Sequence, residues 1–289
     1  MNEPPNGVDI AQLLEIVRAS WDASVDDLQL LPVGFGAHHW RASVGGDPRY
    51  FVTLDVLGEL RTREILLGAY GGASALARQG LTFVVAPLEP YAVPYGAWAV
   101  TLTPWLEGAP VDAIDEDATA EMLRRLHAVD ENTLGLAIPQ WRPVVGPDFA
   151  DRIREMVQQP WTGGPYGSRS RDAVAGSLSN IDRWTARYQE LNRLARTRRW
   201  VPTHGEPGGH NQLVVAAGTV IVDWETLKLA PPERDLRTLD RGDPLMLEMF
   251  DLEWRLDEIG QYSAWVAGKH GDTADDRIAF EGFMHELDR

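Results

Sequence analysis

Thr203–Glu225 reads THGEPGGHNQLVVAAGTVIVDWE, a stretch that gathers two histidines, two glutamates, an asparagine and an aspartate among several glycines. The apolar runs QLVV and TVIV flank a glycine-bearing turn, which predicts a pair of short strands. The polar residues then emerge at strand ends and loops, where binding and catalytic groups are usually placed. On either side the pattern changes to helix. Residues 169–197 and the tail from Leu245 onward carry helical periodicity, and so do DATAEMLRRLHAVD (117–130) and DFADRIREMVQ (148–158). Met122, Leu123, Leu126 and His127 share one face of the first of these, with Asp117 placed to cap it.

Further toward the beginning the character is mostly β. DIAQLLEIVRASWD (9–22) predicts a surface helix capped by Asp9. LQLLPV, HWRASV and RYFVTLDV then form short runs broken by GFG and GGDP, the pattern of antiparallel strands joined by tight turns. Residues 59–79 predict a helix interrupted near Gly71 and Gly72, and FVVAP and AWAVTLTPW predict two more strands. The expected organisation is a sheet-rich lobe over 1–104 with one main helix, a hinge near Thr103–Gly108, and a helical lobe over 105–289.

Composition narrows the chemistry. The chain of 289 residues is 44% hydrophobic, enough to bury a sizeable core, and it holds no cysteine, which excludes disulfides, thiolate catalysis and cysteine zinc sites. Its 43 acidic and 27 basic residues give a net charge of -16, which disfavours nucleic acid and anionic membranes as partners and favours a cationic small molecule. No apolar run approaches about 18 residues, and MNEPPNGVDI lacks the build of an export signal, so the chain is expected to be cytoplasmic.

A sheet lobe, a hinge and a helical lobe carrying these polar groups on a strand pair resemble the aminoglycoside phosphotransferase family of the protein-kinase-like superfamily. The resemblance rests on THGEPGGHN, on Asp223 in VIVDWE, on Asp235 in PPERDL and on LRRLHAVD, in that order. It implies an α+β, two-lobe fold and transfer of a γ-phosphoryl group from ATP, or GTP, with Mg2+, to a hydroxyl of a small cationic acceptor such as an antibiotic or amino sugar. The protein would act as a monomer or homodimer. Such transfer needs positioning and charge neutralisation more than covalent help. By the resemblance, Glu206 orients and deprotonates the acceptor, Asn211 and Asp223 hold Mg2+, and His204 and Asp235 brace the loop. Gly34 and Gly36, with His39 and Arg41 after them, would approach the phosphates, and Pro104, Trp105 and Leu106 the adenine. Glu225, Trp161, Tyr166 and Trp254 are candidates for the acceptor site. Each residue alone is more often a turn former, cap or core residue, and it is the set in order that points to chemistry.

Two positions depart from the family. Thr53 in YFVTLDV stands where the phosphate-binding lysine is expected, and no lysine precedes Lys228. Arg41 is the first candidate for a substitute cation, with Arg61 and Arg63 behind it. Glu206 replaces the usual aspartate, and the added methylene moves its carboxylate by about 1.5 Å, a shift that Pro207, Gly208 and Gly209 are placed to absorb. These departures leave a non-catalytic, nucleotide- or small-molecule-binding pseudokinase as the alternative. A metal hydrolase built on His204, Glu206 and His210 is disfavoured, because Gly208 and Gly209 break the helix such a set requires.

Overall fold

The computed structural model describes the chain except for residues 2, 6, 35, 60, 135–137 and 289. Helix α1 (Ile10–Ser20) leads into strands β1 (Asp27–Leu31), β2 (His38–Val44) and β3 (Asp47–Val56). Helix α2 (Arg63–Arg78), strands β4 (Val93–Tyr95), β5 (Trp98–Pro104) and β6 (Gly108–Pro110), and helices α3 (Glu116–His127), α4 (Phe149–Met156) and α5 (Gly167–Ala195) follow. Strands β7 (Val201–Thr203), β8 (Gln212–Val215), β9 (Gly218–Ile221) and β10 (Lys228–Ala230) precede helices α6 (Glu233–Leu236), α7 (Pro244–Ala267) and α8 (Ala274–Asp288). The chain forms two compact units, one of residues 1–141 with 199–240 and one of 142–198 with 241–289.

In the first unit an antiparallel sheet runs in the order β1-β2-β3-β5-β4. The two-residue period of β3 sends Val52 and Leu54 into a core with Trp40, Leu102 and the α1 residues Leu13 and Val17. Phe51, Thr53 and Asp55 therefore lie on the opposite face. There they share cross-strand positions with His39 and Arg41 of β2 and with Thr101 and Thr103 of β5. Asp9 caps α1 as expected, accepting from Ala11 N at 2.9 Å.

Three local expectations are corrected. Helix α2 runs unbroken through Gly71 and Gly72. At Gly72 packing rather than helix propensity requires glycine, since an added Cβ would stand 2.8 Å from Leu227 Cδ2 and 3.3 Å from Ile138 Cγ1. FVVAP is not a strand of the sheet. Its backbone spends its hydrogen bonds on the β8–β9 hairpin, Ile221 N donating to Phe83 O (2.7 Å) and Val85 N to Ile221 O (3.1 Å), while β4 takes the sheet edge. The cap of α3 is Asp115, which accepts from Ala118 N at 3.0 Å, and not Asp117.

A contrast between two helical glycines tests the packing account. Gly72→Ala is expected to lower stability by about 1–3 kcal/mol through overpacking. At Gly176 in α5, where an added Cβ meets nothing within 4 Å, the same exchange is expected to raise it by about 0.5–1 kcal/mol. Thermal unfolding of the two variants reads both signs.

The remaining strands anchor the loop. β7 pairs with β10, and β6, reached directly from the end of β5, pairs with β8 in a three-stranded sheet with β9. Trp224, Leu227 and Leu229 lock this region into a core shared with α2 and α3. The second unit packs α5 against α4, α7 and α8. Arg187 forks onto Glu248 at 2.8 and 2.7 Å within it. Among the described residues, no helix is long and apolar enough to cross a membrane.

Candidate active site

The segment after β7 is held from beneath. Gly205 has φ +104°, and a Cβ there would lie 2.1 Å from the Arg234 guanidinium, so the turn admits only glycine. The fully buried carboxylate of Asp235 accepts from His204 N (3.1 Å), Gly205 N (2.6 Å) and His127 Nε2 (2.9 Å). Burial opposes its charge, but the His127 hydrogen bond and the neighbouring cations outweigh that and hold the Asp235 carboxyl below the usual range. The His204 ring donates from Nε2 to Val222 O (2.8 Å) and accepts at Nδ1 from Glu206 N (3.1 Å), an arrangement that requires the neutral ring. Burial pushes its pKa down accordingly. With both nitrogens committed, His204 has no lone pair left for a metal. The hydrolase reading fails on that geometry, and among the described residues no group of three or more His, Asp and Glu side chains is arranged to hold a metal ion.

Glu206 follows, its side chain 33% exposed, with Oε2 3.8 Å from His210 Nε2. Burial would raise its pKa, yet His210, His204 and Arg234 together hold the carboxyl below its ordinary value, so it is ionised at neutral pH. Its carbonyl accepts from Asn211 Nδ2 at 2.9 Å. That bond fixes the Asn211 amide and leaves its Oδ1 with no donor among the described residues. Val222 N donates to Asn211 O at 3.0 Å, which sets Asn211 across the hairpin from Val222 and beside Asp223. Asp223 adopts φ 66° and ψ 61°, a left-handed conformation uncommon outside glycine and often found where function over-determines the backbone. Its side chain is exposed to solvent. Burial first, then Glu225, Asp55 and Glu206, push its carboxyl well above the usual range. An amide oxygen beside one such carboxylate is a donor set that suits Mg2+, which takes its remaining ligands from water and phosphate.

These groups sit inside a match to a known family, because the model of the phosphotransferase enzyme family fits residues 27–259. The chain belongs to this family. Protein StrN from Streptomyces griseus is 29% identical over 76% of each chain. Spectinomycin phosphotransferase, solved with ADP and spectinomycin, superposes at a TM-score of 0.72 and 15% identity, covering 97% of this chain and 95% of that one. Choline kinase from Cryptosporidium parvum reaches 0.53 at 12% identity over 97% and 95% of the two chains. A thermostable aminoglycoside phosphotransferase mutant, solved with AMP-PNP and hygromycin B, reaches 0.52 at 14% over 95% and 98%. At these identities the likeness establishes the fold, the two-lobe protein-kinase-like arrangement expected from the sequence.

The phosphotransferase chain brings together only part of the expected set. Gly34 and Gly36 have φ +70° and +96° in the β1–β2 turn, and a Cβ at Gly34 would lie 3.1 Å from His39 Nε2. His39 Nδ1 meets Thr53 Oγ1 at 3.2 Å. Burial is the main cause that pushes the His39 pKa down to about 4, so this ring is neutral and lends the loop no positive charge. Arg41 Nη2 donates to Gln29 Oε1 on β1, and Arg63 Nε to Ala92 O at 2.9 Å. Pro104, Trp105 and Leu106 join β5 to β6, with Trp105 N bonded to Arg49 O at 2.9 Å. Trp161, Tyr166 and Trp254 belong to the second unit. Trp161 is buried there and donates to Met156 O at 3.0 Å, while Tyr166 stacks on Phe280 at 4.7 Å.

Sequence reasoning missed Asp55 and Tyr70 altogether. Asp55 is buried on the face of Thr53, with Oδ2 accepting from Tyr70 OH at 3.0 Å. Its one signal is an aspartate in the interior of a strand, a placement that β-sheets disfavour.

The buried neutral histidines give the phosphotransferase a pH dependence. The folded values of His39 and His204 lie below the ordinary 6.5, so below that pH the unfolded chain binds protons that the folded chain does not. Their contribution to stability therefore falls as pH drops from about 6.5 toward 4. Between pH 7 and pH 5 the melting temperature of His39→Gln is expected to change less in the destabilising direction than that of the wild type, the raised carboxyl of Asp55 acting the opposite way in both proteins.

Proposed function

We propose that this phosphotransferase is a Mg2+-dependent small-molecule kinase that moves the γ-phosphoryl group of ATP, or of GTP, to a hydroxyl of a cationic acceptor. The observation that carries the reading is that the β8–β9 hairpin is flanked by an ionised carboxylate (Glu206) and an amide oxygen with no described donor (Asn211) before it, and by an exposed carboxylate in a left-handed conformation (Asp223) after it. Glu206 takes the proton of the acceptor hydroxyl while that oxygen attacks the γ-phosphorus and the nucleoside diphosphate leaves. Its backbone is fixed on both sides, by His204 Nδ1 and by the Asn211 amide. Mg2+, when bound, would be held by Asn211 and Asp223 and would neutralise phosphate charge. In this reading the lobes divide near 104/105. Gly34, Gly36 and Thr53 approach the phosphates, and Pro104–Leu106 the adenine.

For the acceptor, the net charge of -16 and the carboxylates around Asp223 favour a cation. Glu225 is the residue proposed to meet it. The folds that match belong to proteins solved with spectinomycin or hygromycin B and to a choline kinase, which supports an antibiotic, an amino sugar or a choline-like alcohol. With an antibiotic as acceptor the enzyme would confer resistance. Use of ATP agrees with a cytoplasmic site of action. One observation favours the second reading, a nucleotide-binding pseudokinase, namely that no lysine precedes Lys228. A γ-phosphate transfer screen over spectinomycin, hygromycin B, choline and amino sugars separates the two. Transfer by the wild type that is lost in Glu206→Ala supports the kinase, and a nucleotide-dependent thermal shift with no transfer supports the pseudokinase.

A further inference from the structure

Asp55 has no place in the proposed reaction, yet its carboxylate is fully buried on the same sheet face as Thr53, two residues further along β3. A carboxylate so placed costs several kcal/mol unless a cation meets it. Arg61, just before Thr62, the cap of α2, is the cation beside it, with Nη1 3.4 Å from Asp55 Oδ1, and it offsets only part of the burial and the Glu225 charge that push the Asp55 carboxyl up to about 8. Its Nη2 donates to Glu225 Oε1, two residues beyond Asp223. The guanidinium is thus tied at one end to the sheet and at the other to the segment that carries the candidate metal ligand.

These two bonds engage only part of the guanidinium, which has five N–H donors in a fixed fork. The remaining N–H groups are bound by no described residue, and 33% of the side chain is open to solvent. Asp55 and Glu225 orient the fork, which leaves a pre-set edge whose N–H groups can meet two oxygens of a phosphate. Arg41 and Arg63, the other candidates, each donate to one neutral acceptor, Gln29 and the Ala92 carbonyl, and meet no described carboxylate that would orient the fork.

We propose that Arg61, oriented by Asp55 and Glu225, grips the nucleotide phosphates in place of the lysine that Thr53 does not supply. This rests on the kinase reading. Arg61 is the phosphate-binding residue, and Asp55 and Glu225 are positioning residues that act through it.

Calorimetric titration of ATP, ADP and adenosine into the wild type, Arg61→Ala, Arg61→Lys and the double variant Thr53→Lys/Arg61→Ala tests it. Loss of one charge-assisted contact is expected to weaken ATP and ADP about 10- to 100-fold in Arg61→Ala and to change adenosine by less than about twofold. Arg61→Lys recovers part of the loss, and Thr53→Lys recovers part of it from the strand. A purely structural role would weaken all three ligands alike. Should Arg61→Ala not fold because Asp55 is left unpaired, Asp55→Asn/Arg61→Ala removes the stranded charge and gives the same comparison. An unchanged ratio of ATP to adenosine affinity overturns the assignment of Arg61 alone, whereas a wild type that binds no nucleotide overturns the kinase reading with it.

Discussion

Glu206→Gln is expected to slow phosphoryl transfer by about 10²- to 10⁴-fold while leaving nucleotide affinity within about twofold, the range for losing a general base. Glutamine keeps the shape and the backbone contacts but cannot take a proton from the acceptor. The loop is held independently of the Glu206 carboxylate, since His204 Nδ1 binds the Glu206 N–H and Asn211 Nδ2 binds its carbonyl. Transfer should therefore fall without a comparable fall in stability. Glu206→Asp sharpens the test. It restores the residue usual in the resembled family but withdraws the carboxylate by about 1.5 Å in a loop shaped for glutamate. Misplacement of that order costs about a hundredfold. Initial rates with saturating nucleotide, beside nucleotide titrations of the same variants, read both effects.

Asp235→Ala is expected to cost about 3–5 kcal/mol of stability, the range for breaking a buried charged pair. The side chain is fully buried and serves three donors at once, His204 N, Gly205 N and His127 Nε2. Removing it orphans two backbone N–H groups at the start of the Glu206 loop, so transfer should fall together with the melting temperature. The pH dependence has a definite sign. The folded pKa of Asp235 is depressed below 3.8, so its contribution is present above that value and is lost as pH falls through the folded value. Melting curves of the wild type and Asp235→Ala should accordingly converge on acidification below about pH 4. A constant gap down to pH 2 would assign the stability to packing instead.

How much of this was legible in the sequence varies with the range of the interactions involved. Asp9 as a cap, the strands of the sheet and the hairpin that carries Asn211 and Asp223 follow from local propensity and period, and the structure keeps them. FVVAP was misplaced because alternation identifies an extended segment without naming its backbone partner, which here is Ile221 and not the sheet edge. Gly71 and Gly72 suggested a break because helix propensity is a local quantity, whereas the reason for Gly72 lies in Leu227, far along the chain. The order THGEPGGHN, DWE and ERDL marked Glu206, Asn211, Asp223 and Asp235 as candidates, and the structure adds what spacing could not, that Asp235 reaches back 31 residues to His204 N and 108 to His127. Arg61 ranked behind Arg41 because its partner Glu225 is 164 residues away. No spacing rule reaches across such a separation. His39, adjacent to a glycine turn, looked like a source of charge until burial showed it to be neutral.

The most direct test of the central claim is binding of Mn2+, a spectroscopic substitute for Mg2+, in the presence of a non-hydrolysable ATP analogue, to the wild type, Asn211→Ala and Asp223→Ala. Loss of a ligand should weaken the metal-nucleotide complex by about tenfold or more in each variant, while the affinity for adenosine alone stays unchanged. Equal Mn2+ binding in all three proteins would show that Asn211 and Asp223 do not hold the ion and would contradict the assignment of the site.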